Sequence, residues 1–170
     1  MKNNSYKKRE ELLRSVYSRR YLPALLKVLS YLAILYSVFL FAFFCFVTVS
    51  ENPLSGAVAI ISCGTAFLVL TAVRAFINSP RPYEILNVFE TPPKNKKGHS
   101  FPSRHAFSVF CISAVAVPVA PALAIVGAVL GVILSVSRVL LGIHFIRDVA
   151  AGGAIGILSG LLALLSAGLF

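Results

Sequence analysis

The sequence predicts an all-α integral membrane protein, a helical bundle of about five transmembrane helices that follows an amphipathic helix at the membrane surface. Of its 170 residues, 58% are hydrophobic and only 13% are charged, and the mean hydropathy is +0.85. This composition is too apolar for a soluble domain of the same length. The apolar residues also form runs long enough to cross a bilayer, which requires about 20 residues per helix.

Five apolar runs are predicted to span the membrane. They cover residues 22–49, 54–77, 103–117, 122–141 and 149–169. The segments Glu51–Pro53 and Pro118–Pro121 contain prolines and predict turns. With five spans, these two turns lie at one face of the membrane. The N-terminus, the 78–102 connection and the 142–148 segment then meet at the other face.

Glycines recur every four residues in the last two predicted spans. They are Gly127 and Gly131 in one span, and Gly152, Gly156 and Gly160 in the next. This spacing is typical of membrane helices that pack closely, so we interpret these glycines as structural. Close packing of this kind permits a homodimer and does not require one.

Residues 1–21 form a basic segment ahead of a membrane domain predicted at 22–170. Tyr and Leu side chains such as Tyr6, Leu13 and Tyr17 alternate with Lys and Arg at roughly helical spacing. The pattern indicates an amphipathic helix on the membrane surface. A solvated basic tail is the alternative, and the two interpretations are compatible.

The net charge of +10 does not indicate a nucleic-acid-binding protein. The basic residues lie in the N-terminal segment and between apolar runs, which suits lipid headgroups and anionic substrates better. Cys45, Cys63 and Cys111 lie inside apolar runs without metal-binding spacing, so we interpret them as packing residues. We expect no metal site at these cysteines, and the bilayer is an expected partner.

Ionisable residues concentrate in the stretch from Ser137 to Asp148, which also contains Arg138 and His144. His144 and Asp148 are four residues apart and can touch if they share a helix. Ionisable groups at the border of membrane helices are costly and usually mark a functional site. Two further blocks fall on the same predicted face. They are Arg74 with Arg81-Pro82, and Pro102-Ser103-Arg104-His105.

Each of these residues also has a purely structural interpretation. Arg74 and Arg138 can anchor helix ends at lipid headgroups, and Ser103 suits a helix N-cap. His105 can be an interfacial histidine, and His144 with Asp148 can be a structural ion pair. Solvent or headgroup contact is the simplest expectation for Arg147, His99, the Arg104 side chain and the lysines at 94–97.

Taken together, the three blocks favour an anion site over these separate explanations. Arginines bind phosphate oxygens in a bidentate manner, and the amides at a helix start point at anions. Two histidines beside such a site supply a nucleophile and a proton donor, and a carboxylate can fix the tautomer of one of them.

The order and spacing of the blocks resemble the type 2 phosphatidic acid phosphatase (PAP2) family, the membrane branch of the vanadium haloperoxidase-like acid phosphatases. The family pattern is Lys-x6-Arg-Pro, Pro-Ser-Gly-His and Ser-Arg-x5-His-x3-Asp. The third block matches in full from Ser137 to Asp148. Arg74 stands where the family usually has lysine, and Arg104 stands where it has glycine. The match covers about residues 74–148.

The resemblance implies a metal-independent lipid phosphatase that works through a phosphohistidine, needs no cofactor and has a lipid phosphate as its partner. His144 would attack phosphorus, Asp148 would orient it, and His105 would protonate the leaving oxygen. The phosphoryl oxygens would be held by several groups. These are Arg74, Arg81, Arg138, Ser103 and the backbone amide of Arg104, a residue whose side chain either crowds or extends the phosphate site.

The substrate stays open among undecaprenyl and other polyprenyl diphosphates, phosphatidate and phosphatidylglycerophosphate. The basic residues of positions 1–27 predict a cytoplasmic N-terminus in the plasma membrane, and two spans then return the active site to the cytoplasmic face. Two other function classes are a non-catalytic lipid-phosphate-binding or regulatory relative and a small membrane transport component. The complete His105, His144 and Asp148 set argues against the first, and the clustering of polar residues at one end argues against the second.

Overall fold

The computed structural model describes residues 2–86, 88 and 97–169, and within these ranges the chain folds into helices without strands. The helices in chain order are α1 (Lys2–Ser18), α2 (Leu22–Glu51), α3 (Pro53–Ile77), α4 (Pro82–Ile85), α5 (Arg104–Val115), α6 (Pro121–Leu140) and α7 (Ile146–Ala167). The all-α fold predicted from the sequence is therefore confirmed. Each long helix begins and ends within a few residues of the corresponding apolar run.

Four of the described helices, α2, α3, α6 and α7, are long and apolar enough to cross a membrane. Their outer faces carry large exposed apolar side chains, among them Phe46, Leu68 and Phe76, with relative exposures of 72%, 68% and 93%. In water this exposure would be costly, whereas lipid chains cover such a surface at no cost. The protein is an integral membrane helical bundle.

The third predicted span, α5, is shorter than its neighbours. It has 12 residues and so extends only about 18 Å at 1.5 Å per residue, against about 30 Å for the hydrocarbon core. The shortfall arises because residues 97–103 stay non-helical and because turns follow α5 from Ala116. Helix α5 lies in the interior of the bundle, with Phe107, Val109, Cys111 and Val115 buried.

The glycines predicted to allow close packing lie where α6 and α7 meet α5. A Cβ atom at Gly152 or Gly156 would collide with the backbone carbonyls of Ser103 and Phe107, and one at Gly160 would lie 2.7 Å from the Ala114 side chain. Helices α5 and α7 therefore run side by side in the same direction. Because both begin at the same end of the bundle, Ser103 and Asp148 are brought together there, with the Ser103 amide donating to the Asp148 carbonyl at 2.8 Å.

The two turns predicted from proline lie at the end of the bundle opposite Ser103 and Asp148. Asn52 ends α2 and caps α3, accepting a hydrogen bond from the Ser55 amide at 3.2 Å. The segments that the span count places at one face contact one another. Arg9 of the N-terminal segment donates to the His144 carbonyl at 2.8 Å, and the Ser100 hydroxyl of the 78–102 connection lies 3.3 Å from His144 Nδ1. The polar ends of the bundle thus meet at one site, as predicted.

Residues 2–18 form the helix expected from their spacing, and this helix buries Leu13 and Val16 against the bundle. Val16 packs with Leu26, Leu141 and Ile143. Whether α1 also lies on a bilayer surface stays a prediction, as does the division between 1–21 and 22–170.

Candidate active site

The segment between α6 and α7 positions the predicted nucleophile. After Leu140, the chain turns at Gly142, whose φ of +68° favours glycine. The amides of Ile143 and His144 then donate to the Arg138 carbonyl at 3.0 and 3.3 Å. His144 lies two residues before α7 begins, so it does not share a helix with Asp148, which was the condition for the contact expected from their spacing.

His144 and Asp148 are nevertheless in contact. Asp148 Oδ2 lies 3.6 Å from His144 Nδ1. The same oxygen accepts a hydrogen bond from the Phe145 amide at 2.9 Å. His144 has 1% relative exposure and Asp148 has none. The carboxylate is fixed in the first turn of α7, where the helix dipole also stabilises its charge.

Ser100 is a third member of this cluster, although no motif in the sequence indicates it. Its hydroxyl lies 3.3 Å from His144 Nδ1 and donates to Asp148 Oδ2. It is fully buried. Ser100 belongs to no motif block, and a serine in a polar connection looks like any other loop residue. Only the fold shows that it packs against the histidine.

Burial lowers the pKa of His144 below its ordinary value of 6.5, and the positive charge of Arg81 lowers it further. Contact with Asp148 acts in the opposite direction, because a carboxylate favours the imidazolium. The net direction is downward. At neutral pH the ring is therefore uncharged, which is the nucleophilic form.

Three arginines of the sequence motifs lie buried around this histidine. Arg74, Arg81 and Arg138 each have 6% relative exposure. Arg74 Nη1 donates to the Pro102 carbonyl at 2.9 Å, and Arg81 Nε donates to the Gly98 carbonyl at 2.9 Å. The Nε of Arg138 is buried without a hydrogen-bond partner among the described residues. Buried guanidinium groups with unused donors are well suited to bind an anion.

Glu84 fixes the position of Arg81. Its Oε1 accepts hydrogen bonds from the Arg81 amide at 3.1 Å and from the Gly98 amide at 2.8 Å. The single turn of α4 is thereby joined to the far end of the polar connection. This arrangement explains how a loop dipeptide, Arg81-Pro82, becomes part of a defined site.

Arg74 and Arg81 open onto a cavity of about 410 Å³ that is also lined by Lys97, His99 and Arg104. The guanidinium of Arg104 lies 6.0 Å from the Phe67 ring centroid. Arg104 and His99, for which solvent or headgroup contact is expected from the sequence, both line this cavity, where His99 is exposed and Arg104 is half-buried. Lys94 and Lys96 lie outside the described residues.

Ser103 and His105 begin α5 at this site. Ser103 is fully buried and caps the helix, accepting from the Ala106 amide at 3.5 Å. His105 is half-buried and lines a second cavity of about 260 Å³ together with Arg138. The second motif block is thus located between the two cavities.

Arg147 is largely exposed, with a side-chain exposure of 66%, yet its Nε lies 3.5 Å from Asp148 Oδ1. Its guanidinium also lies 5.3 Å from the Phe145 ring centroid. Arg147 therefore contacts the outer side of the carboxylate, beyond the headgroup or solvent contact expected from the sequence. The site as a whole combines a buried neutral histidine with several cations, which suits attack on an anionic centre.

The profile of the PAP2 superfamily matches residues 53–168. The chain belongs to the PAP2 superfamily. The match includes all three motif blocks and the helices α3 to α7 that position them, whereas α1 and α2 lie ahead of it. A comparison with curated protein sequences finds no significant match.

Two solved structures of the superfamily share this fold. One is described as the first transmembrane PAP2 type phosphatidylglycerolphosphate phosphatase from Bacillus subtilis. It is 23% identical, with a TM-score of 0.70 over 95% of this chain and 85% of that chain. The other is Aquifex aeolicus LpxE, 23% identical, with a TM-score of 0.67 over 91% of this chain and 93% of that chain. At this identity the likeness establishes the fold, which here includes the residues ahead of the superfamily match.

Proposed function

We propose that this protein is a metal-independent membrane lipid phosphatase that works through a phosphohistidine at His144. One observation carries the proposal: a buried His144 has its Nδ1 between Ser100 and Asp148, and the positive charges of Arg81 and Arg74 act on its ring. A structural ion pair would not require three buried arginines at the same place. A phosphate ester supplies the anion that makes their burial favourable.

In the first step, Nε2 of His144 forms a bond to phosphorus while the bond from phosphorus to the leaving oxygen breaks. Ser100 and Asp148 hold Nδ1, so Nε2 is the ring nitrogen that we assign to the attack. Asp148 also stabilises the positive charge that develops on the ring as the new bond forms. His105 gives its proton to the leaving oxygen.

Negative charge on the transferring phosphoryl group is the main electrostatic demand of this reaction. Arg74 and Arg81 each use one nitrogen for a backbone carbonyl, which leaves further donors on each guanidinium for phosphoryl oxygens. Arg138, Ser103 and the amide of Arg104 complete the proposed binding set. These groups supply the positive charge that a metal ion supplies in other phosphatases.

In the second step, water attacks phosphorus and the bond to Nε2 breaks. His105, now unprotonated, accepts the proton of the attacking water and returns to its starting state. Phosphate leaves with His144 neutral again, and the low pKa of that histidine favours this form. Both steps therefore use the same residues in opposite directions.

A lipid phosphate or diphosphate is the proposed substrate class, because the site lies at the end of a bundle whose outer surface is apolar. The class includes polyprenyl diphosphates, phosphatidate and phosphatidylglycerophosphate. The phosphatidylglycerolphosphate phosphatase from Bacillus subtilis named above shares the fold, which supports a lipid phosphatase without choosing among these substrates. The polar residues cluster at one end of the spans, which does not favour a transport pathway through the bundle.

The proposed side is the cytoplasmic face of the plasma membrane, from the basic residues of positions 1–27. A single cysteine at Lys97 in a cysteine-free background tests this assignment. It should react with a membrane-impermeant maleimide only after the cells are opened. Labelling of intact cells would place the site outside.

The central test is phosphate release by the purified protein in detergent with EDTA. The panel holds polyprenyl diphosphates, polyprenyl phosphates and glycerolipid phosphates, and wild type is compared with His144→Ala. We expect release that survives EDTA and falls at least about 10³-fold in the variant, since it loses the nucleophile. Thermal unfolding and gel filtration show whether the variant is folded.

Substantial release by folded His144→Ala would contradict the mechanism. No release from any lipid by the folded wild type would favour a non-catalytic lipid-phosphate-binding relative instead. In that case equilibrium binding of the same lipids would distinguish such a relative from a protein that does not recognise them.

A further inference from the structure

The N-terminal helix reaches the backbone of the nucleophile. Arg9 Nη2 donates a hydrogen bond to the His144 carbonyl at 2.8 Å, although the two residues are 135 positions apart in sequence. The guanidinium also lies 4.9 Å from the Phe145 ring centroid. One arginine of α1 thus contacts the nucleophile's residue and the residue that follows it.

The carbonyl that Arg9 binds lies in the loop between α6 and α7. The first carbonyl that accepts hydrogen bonds from amides of α7 is that of Phe145. It accepts from the amides of Asp148 and Val149 at 3.0 and 3.4 Å. His144 is one residue earlier, so its carbonyl needs a donor from elsewhere. A charged donor is roughly twice as strong as a neutral one in this role.

A second contact from α1 holds the start of the same loop. The Tyr17 hydroxyl donates to the Leu141 carbonyl at 3.2 Å, and Val16 packs with Leu141 and Ile143. Tyr17 and Arg9 are eight residues apart, so about two turns of one helix separate the two contacts. Helix α1 therefore contacts the 141–145 loop at both ends.

We infer that Arg9 is a positioning residue for the proposed nucleophile His144, an inference that rests on the proposed function. Arg9 fixes the backbone of His144, whereas Asp148 and Ser100 fix its imidazole ring. These backbone and ring contacts together set the direction of Nε2. Arg9 lies outside the 53–168 superfamily match. A displacement of about 1 Å of a reacting group lowers the rate on the order of 10²-fold, so loss of the Arg9 contact should reduce turnover more than substrate binding.

The test compares Arg9→Gln with Lys8→Gln, a matched loss of one positive charge from an exposed neighbour on the same helix. We expect Arg9→Gln to lower kcat by about 10- to 100-fold with KM changed less than about threefold. Lys8→Gln should stay within about twofold of wild type. Arg9→Lys, which keeps a charged donor, should recover part of the loss.

Chemical rescue keeps the inference testable if Arg9→Gln proves unstable. Millimolar ethylguanidinium added to Arg9→Ala should raise its kcat and leave Lys8→Gln unchanged. Equal kcat in Arg9→Gln and Lys8→Gln would overturn the inference, as would a loss confined to KM or a folded Arg9→Ala that ethylguanidinium does not rescue. The dependence of wild-type turnover on His144 tests the proposed function separately.

A different observation, the cavity of about 260 Å³ beside His105, carries a second inference. Its lining includes His105, Arg138, Lys27, Tyr31 and Tyr17. Lys27 lies in the second turn of α2, ahead of the superfamily match, and a lysine there can also be a simple headgroup anchor. The cavity is too small and too polar for a lipid chain.

The position of His105, the proposed proton donor, indicates which part of the substrate binds in this cavity. If His105 protonates the leaving oxygen, the leaving group lies on the His105 side of phosphorus, next to Lys27. We propose that the cavity binds the second phosphate of a lipid diphosphate, which again rests on the proposed function. His144 would then take the terminal phosphoryl group, the bridging bond would break, and the lipid monophosphate would leave with its electron pair and the proton from His105.

The test measures kcat/KM for the diphosphate and the monophosphate of one prenyl alcohol. We expect Lys27→Gln to lower kcat/KM for the diphosphate at least about tenfold, because a charged contact to phosphate is lost, and to change the monophosphate less than about twofold. Lys27→Arg should keep the preference. A parallel change for both substrates, or a wild type that cleaves only monophosphates, would overturn this inference and leave the proposed function standing.

Discussion

The two halves of the active site are built in opposite ways. His144, Asp148 and Ser100 are fully or almost fully buried and contact one another directly. The phosphate-binding half instead opens onto a cavity of about 410 Å³. Two of its buried arginines, Arg74 and Arg81, donate to carbonyls of the 97–103 segment, and among the residues that the structure describes neither guanidinium forms an ion pair with a carboxylate.

The difference shows how one site meets two demands. A nucleophile must be aimed before substrate arrives, because orientation lowers the barrier only when it is established in advance. The phosphate-binding groups must instead keep their positive charge available. An ion pair with Asp or Glu would neutralise that charge, whereas a neutral carbonyl fixes the guanidinium and leaves the charge uncompensated.

The largest loss of turnover within the buried half should come from Asp148→Asn, and Ser100→Ala is the variant with which it is compared. We expect Asp148→Asn to lower kcat by about 10³- to 10⁴-fold, since an asparagine cannot balance the imidazolium and can hold the wrong tautomer. Ser100→Ala should lower kcat by only about 10- to 100-fold, the value of one hydrogen bond to a charged group. Steady-state kinetics on folded variants measure both. Equal losses, or a larger loss in Ser100→Ala, would contradict the assigned roles.

The pH dependence tests how the two halves interact. Because burial and Arg81 lower the pKa of His144, the acid limb of kcat/KM should have its midpoint below pH 6.5. Removing the charge in Arg81→Gln should move that midpoint upward. Removing the carboxylate in Asp148→Asn should move it downward, since Asp148 favours the imidazolium. Profiles of kcat/KM from about pH 4 to 8 measure the shifts, and a shift of either variant in the other direction would refute this electrostatic account.

The smallest effect is expected in the open half, from Arg104→Gly, which restores the residue typical of the family. The backbone amide remains, so kcat should stay within about threefold of wild type. The glycine should lower the free energy of unfolding by up to about 1 kcal/mol at the start of α5. A fall of more than about tenfold in kcat/KM would instead show that the Arg104 side chain binds substrate.

Most of the fold could be predicted from the sequence, because membrane helices need long apolar runs and the chain shows them plainly. The length of α5 could not, since the apolar run from Ser103 to Val117 looks like a span, and only the structure shows that turns end the helix after Val115. The glycine spacing predicted close packing, but not that Gly152 and Gly156 lie against the backbone of α5.

The site was predictable where motif spacing fixes it and not elsewhere. His144, Asp148 and Arg138 belong to one contiguous block, so their proximity follows from the sequence. Ser100 and Arg9 belong to no block, and long-range packing brings both to His144. No local pattern in the sequence encodes the contact between α1 and the 141–145 loop.

The stereochemical course at phosphorus tests the central claim most directly. The substrate is an isotopically chiral thiophosphate ester of the lipid that the wild type hydrolyses best, turned over in oxygen-labelled water. Attack by His144 followed by attack by water inverts phosphorus twice, so the account predicts overall retention of configuration. Inversion would show that water attacks phosphorus directly, and His144 would then not be the nucleophile.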